Sequence, residues 1–293
     1  MTAPGSRLAG ALLVAGAALC WSSGGVLLRL IEAGEWTVVF WRSLIMAVTV
    51  GLYLLLRHGP NAPAVVRGVG LAGLVSGCLL AITFACFVLA VARTEVANVV
   101  VLASASPLIS ALLAWLVLGE RLLARTAITI LVAFLGILLM FVGAIGEGSL
   151  VGNLLALGIA LFFGVNIVVM RAARGVDMLP AMVLAGLISA ASAWPLASPL
   201  AVSGQDFGLL MILGAGQLGL GLYLFVRGTR FLGAGEVGLL TLLETVLAPL
   251  WTWAVVGEVP PPLALAGGGI VFAALAAHSA LGARRSKPPV GLQ

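Results

Sequence analysis

Residues 115–120 read WLVLGE and residues 253–258 read WAVVGE. Trp115/Trp253, Val117/Val255, Gly119/Gly257 and Glu120/Glu258 coincide at an offset of 138 residues. A single echo carries little weight in an alphabet this rich in apolar letters, but a second one precedes it. GALLVAGAALCWSSGGVLLR (10–29) lies on GNLLALGIALFFGVNIVVMR (152–171) at an offset of 142, with eight of twenty positions identical. The two echoes keep their order, and their offsets differ by only a short deletion. The chain therefore reads as one unit written twice.

The setting of that repeat is a membrane. Of 293 residues, 62% are hydrophobic and 9% charged, whereas soluble domains run at roughly 45–50% apolar and about 25% charged. A soluble fold of this size could not clothe itself in polar groups. A helix needs about 20 apolar residues to cross the hydrocarbon core. On that measure ten spans are expected: 9–30, 36–56, 67–90, 95–118, 125–144, 150–171, 179–199, 207–227, 235–256 and 262–282. Short charged or turn-forming breaks such as RHGPNAPAVVR, GERLLAR and GEVPPP separate them. Alternating strands of a β-barrel do not produce such runs. The first run, with Arg7 ahead of it, has some features of a secretory signal. It continues through GGVLLRL, and so it is assigned as the first span.

Lysine and arginine orient the chain. Twelve of the fifteen, from Arg7 to Lys287, fall on the side that holds both termini. Arg29 and Arg93 fall on the other side, and Arg42 lies within a span. Both termini are thus expected in the cytoplasm. Each half holds five helices, an odd number, so the second half enters the bilayer from the opposite side. The expected fold class is an all-α integral membrane protein with ten transmembrane helices in two five-helix inverted-topology repeats. The expected units are 1–145, 146–283 and a cytoplasmic tail, 284–293. Inverted repeats of this kind are a hallmark of secondary transporters, in which one site is opened to either side by exchanging the conformations of the halves.

LCWSSG in the first span, FWR in the second, SPLISALLAWLVLGERL in the fourth and LAPLWTWAVVGE in the ninth together resemble the EamA branch of the drug/metabolite transporter superfamily. CWSSGGVLLRL is similar to the YddG type of bacterial amino-acid exporter. The resemblance covers about residues 8–282. It implies a multi-pass exporter of a bacterial-type inner membrane, with a central cavity built mainly from helices 1, 3, 4, 6, 8 and 9. The two halves depart from each other at one proline. Twelve residues before the Gly-Glu pair stands Pro107 in the first half but Thr245 in the second, with Pro249 one turn later.

Polar groups at membrane depth are costly unless they face protein or water. Glu244 falls near the middle of the ninth span and reads either as a proton-coupling or amine-binding group or as a structural carboxyl. Asn98, Asn166 and Gln217 carry amides that could line a cavity, or could tie helices together, their commoner use in bundles. Trp21 and its repeat partner Phe163 are candidate opposing cavity walls, and Phe163 shares a helix face with Asn166. Ser22 and Thr83 complete the candidate substrate-binding set; their hydroxyls can instead bond back to their own helices. Arg42, near the outer end of the second span, is expected to gate or to brace, with substrate binding as the alternative. Pro107 and Pro249 are candidate hinges, because each removes a helix hydrogen bond.

Other chemistries find no support. The basic residues form no nucleic-acid-binding stripe, and Cys20, Cys78 and Cys86 all fall in apolar runs. HExxH, GxSxG and GxxxxGK[ST] signatures are missing, so neither an enzyme nor an ATP-driven pump is expected of this chain, and no cofactor or metal. The expected partners are a small-molecule substrate, membrane lipid and, as a candidate coupling ion, the proton. Export of small metabolites, foremost amino acids, is the leading function. Export of drugs or other metabolites is the runner-up, and an intramembrane enzyme is a distant third.

Overall fold

In the computed structural model the described residues are 4–119, 124–144, 150–173, 179–232, 234–260 and 262–285, and within them all regular structure is helical. The helices are α1 (Pro4–Ser22), α2 (Gly24–Arg29), α3 (Glu35–His58), α4 (Ala62–Arg67), α5 (Gly70–Val91), α6 (Val96–Ala103), α7 (Ser106–Leu118) and α8 (Ala124–Ala144). They continue with α9 (Leu150–Ala172), α10 (Leu179–Ala193), α11 (Gly204–Met211), α12 (Gly221–Gly228), α13 (Ala234–Val256) and α14 (Pro262–Arg285). Among the described residues, seven helical stretches are long and apolar enough to cross a membrane, and three shorter apolar ones cover Ala124–Leu139, Leu240–Val256 and Leu265–His278.

The burial pattern inverts that of a soluble protein. Leu12, Leu56, Leu71, Val117 and Ile128 point outward, each more than 60% exposed. Arg42, Asn98, Asn153, Asn166 and Gln217 are buried. Close packing inside falls to small residues: Ala17, Ala90, Ala156, Ala160 and Ala185 are wholly buried. Small side chains let helix backbones approach where lipid supplies no hydrophobic driving force between helices.

The echoes that opened the sequence have a structural cause. Gly119 and Gly257 both take positive φ, 66° and 70°. Gly119 ends α7, its N–H donating to the Ala114 carbonyl, and Gly257 follows α13, its N–H donating to the Trp253 carbonyl. Only glycine adopts that left-handed cap without strain. Glu120 itself lies outside the described residues. Gly10 and Gly152, matched in the other echo, are both positions of close approach. A Cβ at Gly10 would lie 2.7 Å from Phe231 Cβ, and one at Gly152 would lie 2.7 Å from Thr94 Cβ.

Three of the expected spans are interrupted. The first breaks at Ser23, between α1 and α2, and the fourth at Ser104–Ala105, between α6 and α7. Pro107 therefore does not kink a continuous helix; it occupies the first turn of α7, where a missing N–H costs nothing. Pro249, by contrast, sits inside the continuous α13. The eighth span runs from α11 through a π-helical stretch, Ile212–Leu220, into α12. The seventh helix stops at Ala193, earlier than residue 199, where Trp194-Pro195-Leu196 tightens into a 3-10 turn.

Helix α8 packs along α14, α3 along α10, α5 along α9 and α10, and α1 along α12 and α13. Helix α7 packs on α9, and α6 lies between α9 and α13. The Arg29–Glu258 and Arg93–Glu35 ion pairs and the Thr94–Asn153 hydrogen bond gather the ends of α2, α5 and α13 with the starts of α3, α6 and α9 at one end of the bundle. Helix α9 thus begins where α2 finishes.

A polar hub at the break in the first helix

At Ser22–Ser23 the first helix stops and restarts, and its freed carbonyls are met by its own hydroxyls. Ser22 Oγ donates to Leu19 O at 2.8 Å, and Ser23 Oγ donates to Cys20 O at 2.7 Å. Serine suits the position because its short side chain competes for nearby backbone groups. The glycines that follow are needed for space. A Cβ at Gly24 would lie 2.8 Å from Gln217 Nε2, and one at Gly25 would collide with Val96 at the start of α6.

Three other elements meet this break. Trp251 on α13 donates through Nε1 to Ser22 Oγ at 3.1 Å. Gln217, in the π-helical stretch, donates through Nε2 to Trp21 O at 3.4 Å. The Gln217 Oε1 atom in turn accepts from Arg42 Nη2 on α3 at 3.1 Å. Wide π turns are found disproportionately at functional sites. The Trp21 ring rests on Phe225 with centroids 5.1 Å apart, and Gly221 leaves room for its indole. Thus Trp21, Ser22, Gln217 and Arg42 converge on one hub.

The other candidates are spread more widely. Asn166 accepts from Ser76 Oγ through Oδ1 at 2.6 Å, binding α5 to α9. Phe163 on α9 stays 39% exposed, whereas Asn166 is buried. Asn98 donates to Glu95 Oε2 at 2.7 Å and to Thr94 Oγ1 at 3.2 Å, at the start of α6. Thr83 Oγ1 donates to Leu79 O of its own helix at 2.8 Å. Glu244, half-buried, stands seven residues before Trp251 and therefore on the same stripe of α13. Among the described residues, none of Thr83, Asn98 and Asn166 is hydrogen-bonded to the hub.

The sequence reading missed one assembly. Arg29 Nε donates to Glu258 Oε2 at 2.8 Å, and its Nη2 donates to Thr94 O at 2.9 Å. The Val96 N–H, at the start of α6, donates to Glu258 Oε1 at 2.5 Å. One carboxylate thus receives a guanidinium and the positive end of a helix, both favourable for an anion. The signal lay in the echoes themselves, since Arg29 and Glu258 are the ends of two repeated segments. Their repeat partners are Arg171, whose side chain lies outside the described residues, and Glu120.

Comparison with known proteins agrees with this architecture. The EamA-like transporter family model matches twice, over residues 8–142 and 150–279. A solved structure described only as "Crystal structure of protein" shares the fold with a TM-score of 0.66 at 22% identity, covering 95% of this chain and 99% of its own. The search of curated proteins finds no match. With the one family model covering both halves of an all-helical apolar bundle, the chain belongs to the EamA-like transporter family.

Proposed function

We propose that the protein is a secondary transporter with ten spans in two inverted halves, 1–145 and 146–283, that exports small metabolites, foremost amino acids, by alternating access. The observation that carries this reading is the exchange symmetry of the packing. Swapping the first five spans for the last five turns the α5–α9 contact into α12–α1, α7–α9 into α13–α1, and α10–α5 into α3 against the π-helical stretch. The α3–α10, α6–α13 and α8–α14 contacts map onto themselves. At the α3–α10 crossing Ser43 Oγ meets Ser189 Oγ at 2.9 Å, which ties the two second helices of the halves together. Polar pairs follow the same exchange. Ser76 reaches Asn166 between α5 and α9, while Gln217 lies against Gly24, the repeat partner of Asn166. The double match of the family model fits the repeat, and the start of α9 beside the end of α2 fits its inversion.

The arginine and lysine bias puts both termini in the cytoplasm, so the Arg29–Glu258 end faces outward. The amino-acid substrate and the bacterial inner membrane rest on the resemblance to YddG-type exporters. Trp21, Ser22 and Gln217 serve as the centre of the substrate path, with Asn98, Asn166, Thr83 and Phe163 along it, and Glu244 as the proton-coupling carboxyl. The test is uptake of a panel of amino acids into proteoliposomes, with and without a pH gradient, for wild type and Glu244→Gln. Gradient-driven flux that Glu244→Gln abolishes supports the coupling role, and full flux in the variant removes it. Transport of amphiphilic drugs with no amino-acid flux would replace the substrate assignment.

A further inference from the structure

Arg42 is buried, with only 3% of its surface exposed, seven residues into α3. At about 1.5 Å per residue that is roughly 10 Å from the helix start. A long arginine at that depth could carry its charge to the surface, but the burial shows that it does not. Its hydrogen bonding is incomplete. Nη2 donates to Gln217 Oε1, while Nε and Nη1 have no acceptor. These two atoms carry three of the five guanidinium N–H groups. No carboxylate among the described residues pairs with it; the described ion pairs are Arg29–Glu258 and Arg93–Glu35. Two aromatic rings lie beside it. The guanidinium carbon lies 5.1 Å from the Phe87 ring centroid and 5.9 Å from that of Phe84. A buried charge without a counter-charge is among the costlier features a membrane interior can hold. Cation–π contacts and one neutral amide acceptor offset only part of that cost.

We propose that Arg42, held by Gln217, is the receptor for the carboxylate of the transported substrate. The guanidinium fork matches a carboxylate, and the unfilled N–H groups supply charge-assisted hydrogen bonds. Phe84 and Phe87 form the apolar wall beside it. Gln217 is the link to the helix break, since its other end donates to Trp21 O. Carboxylate binding at Arg42 is thereby coupled to the segment where the first helix restarts. This assignment rests on the transporter reading for its substrate, but its decisive measurement is binding rather than flux.

The purified protein in detergent is titrated with L-phenylalanine, phenylalaninamide, 3-phenylpropionate and sodium chloride, and thermal stabilisation is followed for wild type, Arg42→Lys and Arg42→Gln. Wild type is expected to bind both carboxylates at least tenfold more tightly than the amide, with chloride inactive at equal ionic strength. Arg42→Gln loses that preference; Arg42→Lys keeps part of it, because a point charge replaces a fork. Wild type needs no variant to fold, so equal binding of phenylalanine and its amide, or equal stabilisation by chloride, overturns the proposal. An undiminished carboxylate preference in Arg42→Gln overturns it as well. Carboxylate-selective binding lost in Arg42→Gln, found without amino-acid flux in proteoliposomes, would uphold the receptor and overturn the amino-acid export reading. Flux that is the same for acid and amide would do the reverse.

Discussion

Replacing Glu258 by glutamine should unlock the end of the bundle where α2, α6 and α13 meet. The carboxylate holds Arg29 at 2.8 Å and the Val96 N–H at 2.5 Å, and the two charged side chains are 28% and 14% exposed. Hydrogen bonds to charged groups contribute about 1.5–3 kcal/mol in place. Partial exposure of Arg29 argues for the lower part of that range, about 1.5–2 kcal/mol, since solvent screens the pair. At 1.4 kcal/mol per factor of ten, the population open at this end rises roughly 10–30-fold. Cys20, two residues before the break in the first helix, is a native reporter. In a C78S/C86S background its labelling by a membrane-impermeant maleimide should accelerate by that factor in Glu258→Gln and by at least as much in Arg29→Glu, which sets two carboxylates against each other. The swapped pair, Arg29→Glu with Glu258→Arg, should recover most of the slow rate. Unchanged labelling in both single variants, or a swap that labels as fast as either, would refute the idea that this ion pair closes the end.

Three further outcomes are expected. Gly25→Val should lower thermal stability by about 1–3 kcal/mol or more, because a side chain there meets Val96 at the start of α6; an unchanged melting temperature in detergent would contradict the tight α2–α6 contact. Asn166→Leu should cost about 0.6–1.7 kcal/mol, the range for interhelical hydrogen bonds in membranes, through loss of its bond with Ser76; a stabilised variant would show that this amide is not a tie between α5 and α9. A reporter fused after residue 293 should behave as cytoplasmic, and a reporter in the 198–203 loop as external. The reverse pattern would turn the proposed orientation over.

Some features were legible without coordinates because they follow from one-dimensional chemistry. Apolar runs of crossing length reveal helices in lipid, and Gly119 and Gly257 mark helix ends because a left-handed cap suits no other residue so well. The helix breaks were not legible. Ser23 and Ala105 sit in short small-residue stretches, SSGG (22–25) and SASP (104–107), that suit a closely packed continuous helix as well as a break, and the π turn at 212–220 leaves no mark in hydropathy. Pro107 reads identically whether it kinks one helix or opens the next.

The sequence by itself determined a membrane-bound helical chain written twice, because length, hydropathy and repetition need no partner to be read. Only the tertiary structure decided which polar residues meet. It joined Arg42 to Gln217 across 175 positions and Arg29 to Glu258 across 229. It also turned Asn98 toward Glu95 and the start of α6, and Asn166 toward Ser76 and Met170. The physical reason is that a buried polar group answers to whatever neighbouring helix brings a partner within hydrogen-bond reach. That neighbour is set by close packing of small residues far apart in the chain, and no local pattern encodes it.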